Sequence, residues 1–258
     1  MTPVELVQLA KRRGLNAIAI TDHDTTAGIH PAQEAANGSP VVIPGVEMSC
    51  GGDAEEIHLL GYYLNPDDPA LNAALHIQHR RRQERAQAML ERLSALGAPI
   101  TWEAVLAQAA GESISRPHVA RALVEAGHVD TVNGAFDRYL RVGQPAYVAG
   151  KWLDLAQAID LIHQAGGAAI LAHPGLLREP ERWANQPGLD GLEVMHPAHR
   201  SSVRANLRGL ARRLDLIVTG GSDFHRLGDA LASQTVPPDT LQRLRQRADS
   251  YPSPDKPG

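Results

Sequence analysis

Short apolar runs alternate with amphipathic segments along most of the chain. The runs LNAIAI at 15–20, VVIPGV at 41–46, AAILA at 168–172 and LDLIVT at 214–219 predict buried strands. The last two each follow a helical pattern, and a further helix is predicted from Pro3 until Gly14 stops it. This alternation indicates parallel α/β units with strands buried on both faces.

Residues 72–144 break the alternation. A long, charged, amphipathic helix and further helical stretches follow one another there without a strand signal. We therefore predict an α/β domain in two parts, residues 1–71 and 145–250, separated by a helical insertion at 72–144. The segment YPSPDKPG at 251–258 is predicted to be a frayed tail.

Polar side chains that can bind metals follow the predicted strands. In parallel α/β folds such groups gather at the carboxyl ends of the strands. A lone histidine after a strand is more often structural, but six imidazoles and carboxylates at equivalent places favour a catalytic site for zinc, manganese or iron. The candidate ligands are His23, Glu47, His58, His173, Asp223 and His225.

Composition narrows the class of protein. A net charge of −4 provides no basic field for a stable duplex nucleic-acid partner. Cys50 is the only cysteine, so a disulfide framework and a thiolate zinc site are both excluded. No apolar run approaches the roughly 20 residues of a membrane span. We expect a cytoplasmic protein without a membrane partner.

The motifs TDHDTTAG, PGVEMS, IHLLGY, LAHPG and GSDFH, in this order, resemble those of the polymerase-and-histidinol-phosphatase (PHP) superfamily of metal-dependent phosphoesterases. SRPHVARALVEAG and GQPAYV in the insertion resemble the branch labelled TrpH, which includes a nucleoside 3′,5′-bisphosphate phosphatase and an oligoribonuclease acting from the 5′ end. The resemblance implies a distorted (β/α)7 barrel, similar to a TIM barrel, with a trinuclear metal site at its mouth.

The resemblance assigns the six candidate ligands to the later members of a nine-ligand series. The first three members, which include the HxH motif of the opening strand, have no counterpart here. The expectation is therefore that the first strand is missing, that the reading frame begins upstream of Met1, and that this chain holds fewer than three Mn, Zn or Fe ions.

The implied chemistry is attack by a metal-activated water, with no side-chain nucleophile. Clustered divalent ions neutralise the phosphate charge and lower the pKa of a bound water. By family analogy, Glu47 bridges two ions. Asp22 and Asp24 either orient His23 or cap the loop and helix, and Glu193 supports the barrel mouth.

Substrate binding is assigned to Arg116, His118 and His199, which match phosphate-holding positions of the resembling branch. Arg121 and the charge run HRRRQER at 79–85 are interpreted as solvated helix faces. His196 receives no role.

The leading functional hypothesis is a phosphoesterase acting on a nucleotide, either a nucleoside 3′,5′-bisphosphate or the 5′ end of a short oligonucleotide. A histidinol-phosphatase-like enzyme is the first alternative. The second is a degenerate module that binds nucleotide or metal without turnover.

Overall fold

A computed structural model describes residues 1–52, 55–109, 111, 113–225 and 229–252. The strands in these ranges are β1 (Ala17–Ile20), β2 (Val41–Gly52), β3 (Glu55–Tyr62), β4 (Ala168–Leu171), β5 (Gly191–Met195) and β6 (Ile217–Gly220). The helices are α1 (Pro3–Arg12), α2 (Ile29–Ala36), α3 (Pro69–Ala95), α4 (Trp102–Ala109), α5 (Arg116–Glu125), α6 (Val132–Ala135), α7 (Leu155–Gln164), α8 (Pro180–Ala184), α9 (Ser201–Arg213) and α10 (Pro238–Asp249). A π-helical turn at Phe136–Leu140 and a 3₁₀ turn at Pro174–Leu176 complete them.

The described strands form one curled sheet in the order β1-β2-β3-β4-β5-β6. Strands β1 and β2 pair in parallel, as do β4 with β5 and β5 with β6. Strand β3 is antiparallel to both β2 and β4. No strand was predicted at 55–62, and the expected series of parallel units is interrupted there because β2 and β3 form an antiparallel hairpin. This mixed α/β sheet is consistent with a TIM-like barrel.

Alternation along the hairpin separates a core face from a polar face. Met48 and Cys50 on β2, with Ile57 and Leu59 on β3, are fully buried in the largest apolar cluster. That cluster also contains the buried face of α7. The opposite face of the hairpin is left for side chains that serve the site.

The chain divides into two compact units, one comprising Met1–Leu75 with Leu153–Gly258 and the other His76–Trp152. The second unit is helical in its described residues and has its own apolar core around Met89, Leu93 and Leu123. This unit starts four residues and ends eight residues later than the predicted insertion at 72–144, and α3 crosses the first of these bounds without a break.

The end of the chain is anchored by a buried carboxylate. Asp190 has no exposed surface and accepts hydrogen bonds from Ala169 N, Arg247 and the Tyr251 hydroxyl. The Tyr251 ring stacks on His163, with ring centroids 3.7 Å apart. Tyr251 is thus packed, contrary to the predicted frayed tail, whose residues 253–258 lie outside the described residues.

None of the helices in the described ranges combines the length and apolar character that crossing a bilayer requires.

Candidate metal centre

Glu47 is the central acidic residue of the site. It lies within β2, opposite Leu60 of β3, so it was wrong to place it beyond a strand. His58 pairs with Ser49, two positions further along the hairpin, and therefore projects from the same face as Glu47. The ladder of backbone hydrogen bonds thus sets the spacing between these two side chains.

Three donor atoms, one of them an oxygen of Glu47, lie close together. His58 Nδ1 lies 2.8 Å from Glu47 Oε1, His173 Nε2 lies 3.4 Å from the same oxygen, and the two ring nitrogens are 3.2 Å apart. A tetrahedral ion bound at about 2.0–2.1 Å has ligands separated by about 3.3 Å. The triangle therefore has the dimensions of one face of such a coordination shell, and its donor set suits zinc, manganese or iron.

The charges of Glu47 and His58 are strongly coupled. Burial alone would raise the pKa of Glu47, but the neighbouring His23 and His58, with hydrogen bonds from His173 and His58, hold it well below its usual range. Burial alone would lower the pKa of His58, but the Glu47 carboxylate, with help from Glu56, raises it to about 10. Without an ion, a proton on His58 balances the Glu47 charge.

His173 is fixed by the backbone beyond β4. It adopts a left-handed conformation, with φ 31°, at the start of the 3₁₀ turn. The Glu193 carboxylate on β5 accepts a 2.9 Å hydrogen bond from its backbone N–H. Burial raises the pKa of Glu193 to about 7, against the opposing influence of His196 and the His173 hydrogen bond. The supporting role of Glu193 at the barrel mouth stays a prediction.

His23 approaches from the first part of the sheet. It forms an isolated parallel bridge with Glu47, and its Nδ1 lies 3.8 Å from Glu47 Oε2. Donor atoms of His23, Glu47 and His58 all lie within 4.8 Å of one another, which identifies these residues as a candidate metal-binding group. Three of the predicted ligands are thus grouped around the carboxylate.

The acidic neighbours of His23 make other contacts. Asp24 accepts hydrogen bonds from the backbone N–H and hydroxyl of Ser49, both at 2.9 Å, and so ties the loop to β2. The Asp22 carboxylate packs against Gly28, where an added Cβ would stand 2.5 Å from Oδ2. Orientation of His23 by either residue stays a prediction.

Asp223 and His225 lie in the loop after β6, as predicted. His225 Nδ1 is 2.9 Å from the backbone oxygen of Asp223, which assigns the proton to Nδ1 and the lone pair to Nε2. The rings of His225 and His23 are 5.7 Å apart. Burial would raise the pKa of Asp223, but His196 and His225 lower it. The loop therefore presents an ionised carboxylate, and its His225 ring lies beside His23.

Sequence reasoning missed His196, which is 3% exposed and lies between His173 and His199, with ring centroids 5.6 and 5.1 Å away. His199, predicted to bind phosphate, lies 3.0 Å through Nδ1 from the Val194 carbonyl and accepts a hydrogen bond from Gly175 N. Phosphate binding by His199 stays a prediction. For His196, the sequence signal that could have revealed its burial was its position directly after strand β5.

The second unit contains a pocket lined by Arg82, Arg85 and Arg116 together with Ser115. Arg82 and Arg85 are only 4% and 8% exposed, so it was wrong to interpret the whole 79–85 run as solvated. The two arginines are three residues apart and therefore lie on one face of the helix. This spacing was the available sequence signal, which a count of charges does not use.

Aromatic rings and a histidine complete the pocket surroundings. The guanidiniums of Arg82 and Arg85 lie 5.4 and 5.2 Å from the Trp152 ring, and that of Arg116 lies 5.8 Å from Tyr147. His118 is buried at the start of α5, where its Nδ1 accepts a hydrogen bond from Ser115 N. The three guanidinium groups are thus held next to aromatic rings.

The chain is similar to curated enzymes over most of its length. It is 39% identical to the 5′-3′ exoribonuclease Rnm of Salmonella typhimurium over 237 residues, which cover 88% of this chain and 80% of the relative. It is 34% identical to the 3′,5′-nucleoside bisphosphate phosphatase of Chromobacterium violaceum, with 89% of this chain and 84% of the relative covered. A scan against models of known protein families gives no match.

Solved structures share the fold. A structure described as a metal-dependent phosphoesterase of Bifidobacterium adolescentis has a TM-score of 0.86 and 34% identity, with 95% of this chain and 91% of that chain covered. A structure described as an amidohydrolase of Chromobacterium violaceum, with bound sulfate and no metal, has a TM-score of 0.87 and 33% identity, with 96% and 92% covered.

Proposed function

Because this chain belongs to the PHP-like metal-dependent phosphoesterases, enzymes that hydrolyse phosphate esters, we propose that its substrate is a nucleotide. The proposed substrate is a nucleoside 3′,5′-bisphosphate or a short oligonucleotide attacked from its 5′ end. The names of the relatives from Salmonella typhimurium and Chromobacterium violaceum support these two classes.

The triangle formed by Glu47, His58 and His173 carries the proposal. Its donor atoms have the spacing of ligands around one ion, and Glu47 is ionised by its surroundings. Divalent ions held there would neutralise phosphate charge and activate a water. His23, Asp223 and His225 are proposed to extend the site to further ions of Mn, Zn or Fe.

The three guanidiniums of the arginine pocket support a substrate that carries an anionic group. Guanidiniums form bidentate hydrogen bonds with phosphate, and aromatic rings nearby can stack on a base. We propose that Arg116 and His118, together with Arg82 and Arg85, bind phosphate of the substrate. This assigns substrate recognition to the helical unit.

A phosphate-release screen with manganese tests the proposal. The substrates are a nucleoside 3′,5′-bisphosphate, the matching 5′-monophosphate, a short 5′-phosphorylated oligonucleotide analysed for released nucleotide, and histidinol phosphate. We expect turnover of the bisphosphate or the oligonucleotide, loss of turnover with a chelator, and little activity on histidinol phosphate. Preference for histidinol phosphate would favour the first alternative. Absence of turnover in a metal-loaded protein would favour the non-catalytic module.

A further inference from the structure

His196 occupies a buried position next to the metal centre without being one of the assigned ligands. It follows β5, and Arg204 donates a 2.9 Å hydrogen bond to its carbonyl oxygen, which fixes the local backbone. Its ring lies 5.6 Å from that of His173. A histidine at this place could either bind an ion or orient a ligand, and its hydrogen bonds distinguish these roles.

The tautomer of His196 is set by its own loop. The backbone N–H of Ala198 donates to His196 Nδ1 at 3.2 Å, so Nδ1 offers a lone pair and, in the neutral ring, Nε2 carries the proton. A protonated ring nitrogen cannot ligate an ion. It can, however, donate to a carboxylate.

The carboxylate within reach is that of Asp223. His196 Nε2 lies 3.3 Å from Asp223 Oδ2 and makes no hydrogen bond of full geometry in the described part of the chain. The other oxygen, Oδ1, lies 3.5 Å from His225 Nδ1. One oxygen of Asp223 is therefore directed toward His196, and the other toward the neighbouring ligand.

Asp223 needs such a restraint because its backbone provides little. It has a left-handed φ of 47°, only Ser222 separates it from Gly220 and Gly221, and its side chain is 36% exposed. His196, by contrast, is 3% exposed and stands directly after a strand. The rigid partner can thus hold the less restrained one.

We infer that His196 is a positioning residue, whose Nε2–H holds Asp223 Oδ2 and leaves Oδ1 directed toward a metal ion. The inference rests on the proposed metal centre. Groups that orient a metal ligand in this way typically change metal affinity about 10–100-fold when removed.

The test compares His196→Phe, which keeps a flat ring without a donor, with His196→Gln, which keeps an N–H donor. Manganese affinity and stoichiometry are measured by titration of chelated protein, and unfolding of the chelated protein is followed separately. We expect His196→Phe to weaken the affinity of one ion about 10–100-fold and His196→Gln to retain most of it. His76→Phe, at an exposed position on α3, should change neither.

A double-mutant cycle identifies the partner. In an Asp223→Asn background, His196→Phe should cause little further loss of manganese affinity, because the two residues act as one unit. Two outcomes would overturn the role of His196 but leave the metal centre in place. One is additive losses of affinity in the double mutant, and the other is unchanged affinity of His196→Phe while the parent protein binds manganese. A parent protein that binds no manganese would overturn the metal centre and this inference together.

Discussion

His58 Nδ1 lies 2.8 Å from Glu47 Oε1, and this pair ties metal binding to proton release. The Glu47 carboxylate raises the pKa of His58 to about 10 against the effect of burial. In the metal-free protein His58 therefore keeps its proton at neutral pH. An ion that takes the Nδ1 lone pair must displace that proton.

We predict that manganese binding at about pH 8 releases about one proton from His58, whereas a histidine of ordinary pKa would release almost none. Calorimetric titration in two buffers of different ionisation enthalpy measures the number released. Glu47→Gln removes the charge that raises the His58 pKa, so weaker binding with less proton release is expected. A binding heat that is independent of the buffer would contradict the prediction.

The same pair sets the pH dependence of the metal-free fold. The pKa of His58 is raised, so its contribution to stability is complete below about 6.5 and is lost as pH rises through about 10. Glu47 has a lowered pKa, so its contribution is present above about 4.5 and is lost as pH falls through the depressed value. Unfolding of chelated protein should therefore show a plateau of stability between about pH 4.5 and 6.5. Glu47→Gln should lower that plateau, because it removes the charge that stabilises protonated His58.

His173→Ala should abolish phosphate release while leaving the fold largely intact. The side chain supplies Nε2 to the triangle, and its backbone remains held by Glu193 through the N–H group. We expect turnover to fall at least about 100-fold, because an ion would lose one ligand. Initial rates with saturating manganese, compared with His76→Ala, provide the measurement. Full activity of His173→Ala would remove His173 from the metal centre.

Asp190→Asn should destabilise the protein without changing its chemistry. The buried carboxylate accepts hydrogen bonds from Ala169 N, Arg247 and Tyr251, and its loss should cost about 3–5 kcal/mol. The pKa of Asp190 is lowered by His163 and the other donors despite burial, so its contribution is complete above about 3.8 and is lost as pH falls through the depressed pKa.

Denaturant unfolding of Asp190→Asn, with turnover measured below its transition, checks this prediction. Tyr251→Phe, which removes a single hydroxyl, is the milder comparison and should cost about 1 kcal/mol. Equal stability of Asp190→Asn and the parent would show that the buried network contributes no net stability.

Arg116→Lys should weaken substrate binding and leave metal content unchanged. Lysine keeps the charge but loses the planar fork and the stacking on Tyr147, so we expect KM to rise about tenfold. Arg138→Lys is a matched control, since Arg138 also lies over a tyrosine ring but is exposed and outside the pocket. The prediction is wrong if both variants have the KM of the parent.

Much of the fold could be predicted because the spacing of apolar residues indicates which positions are buried. The runs at 15–20, 168–172 and 214–219 contain strands β1, β4 and β6 of the structure. Strands β3 and β5 were not among the predicted strands. The antiparallel direction of β3 could not have been read from the apolar pattern either, because burial on both faces gives the same pattern in parallel and antiparallel strands.

For the site, the chemical type of the residues was a better guide to the metal ligands than their expected position relative to the strands. The grouping of His23, Glu47 and His58 was predicted from residue types at supposed strand ends, although Glu47 and His58 lie on a hairpin. His196 and Arg82 were missed because their importance depends on burial and tautomer. Local spacing indicates which face a residue shares, but it does not fix the burial of Arg82 or the tautomer of His196.

The hairpin that carries Glu47 and His58 also affects the entropic cost of assembling the site. Both residues are held in a continuous ladder, whereas Asp223 and His225 lie on a partly exposed loop. An ion at the hairpin meets ligands whose backbone is already ordered, so little conformational freedom is lost on binding. An ion that also needs the loop uses the Asp223 and His225 side chains, which are 36% and 46% exposed and therefore lose more conformational freedom on binding. We therefore expect the hairpin to fill at lower metal concentration and the loop ligands to exchange their ion faster with solution.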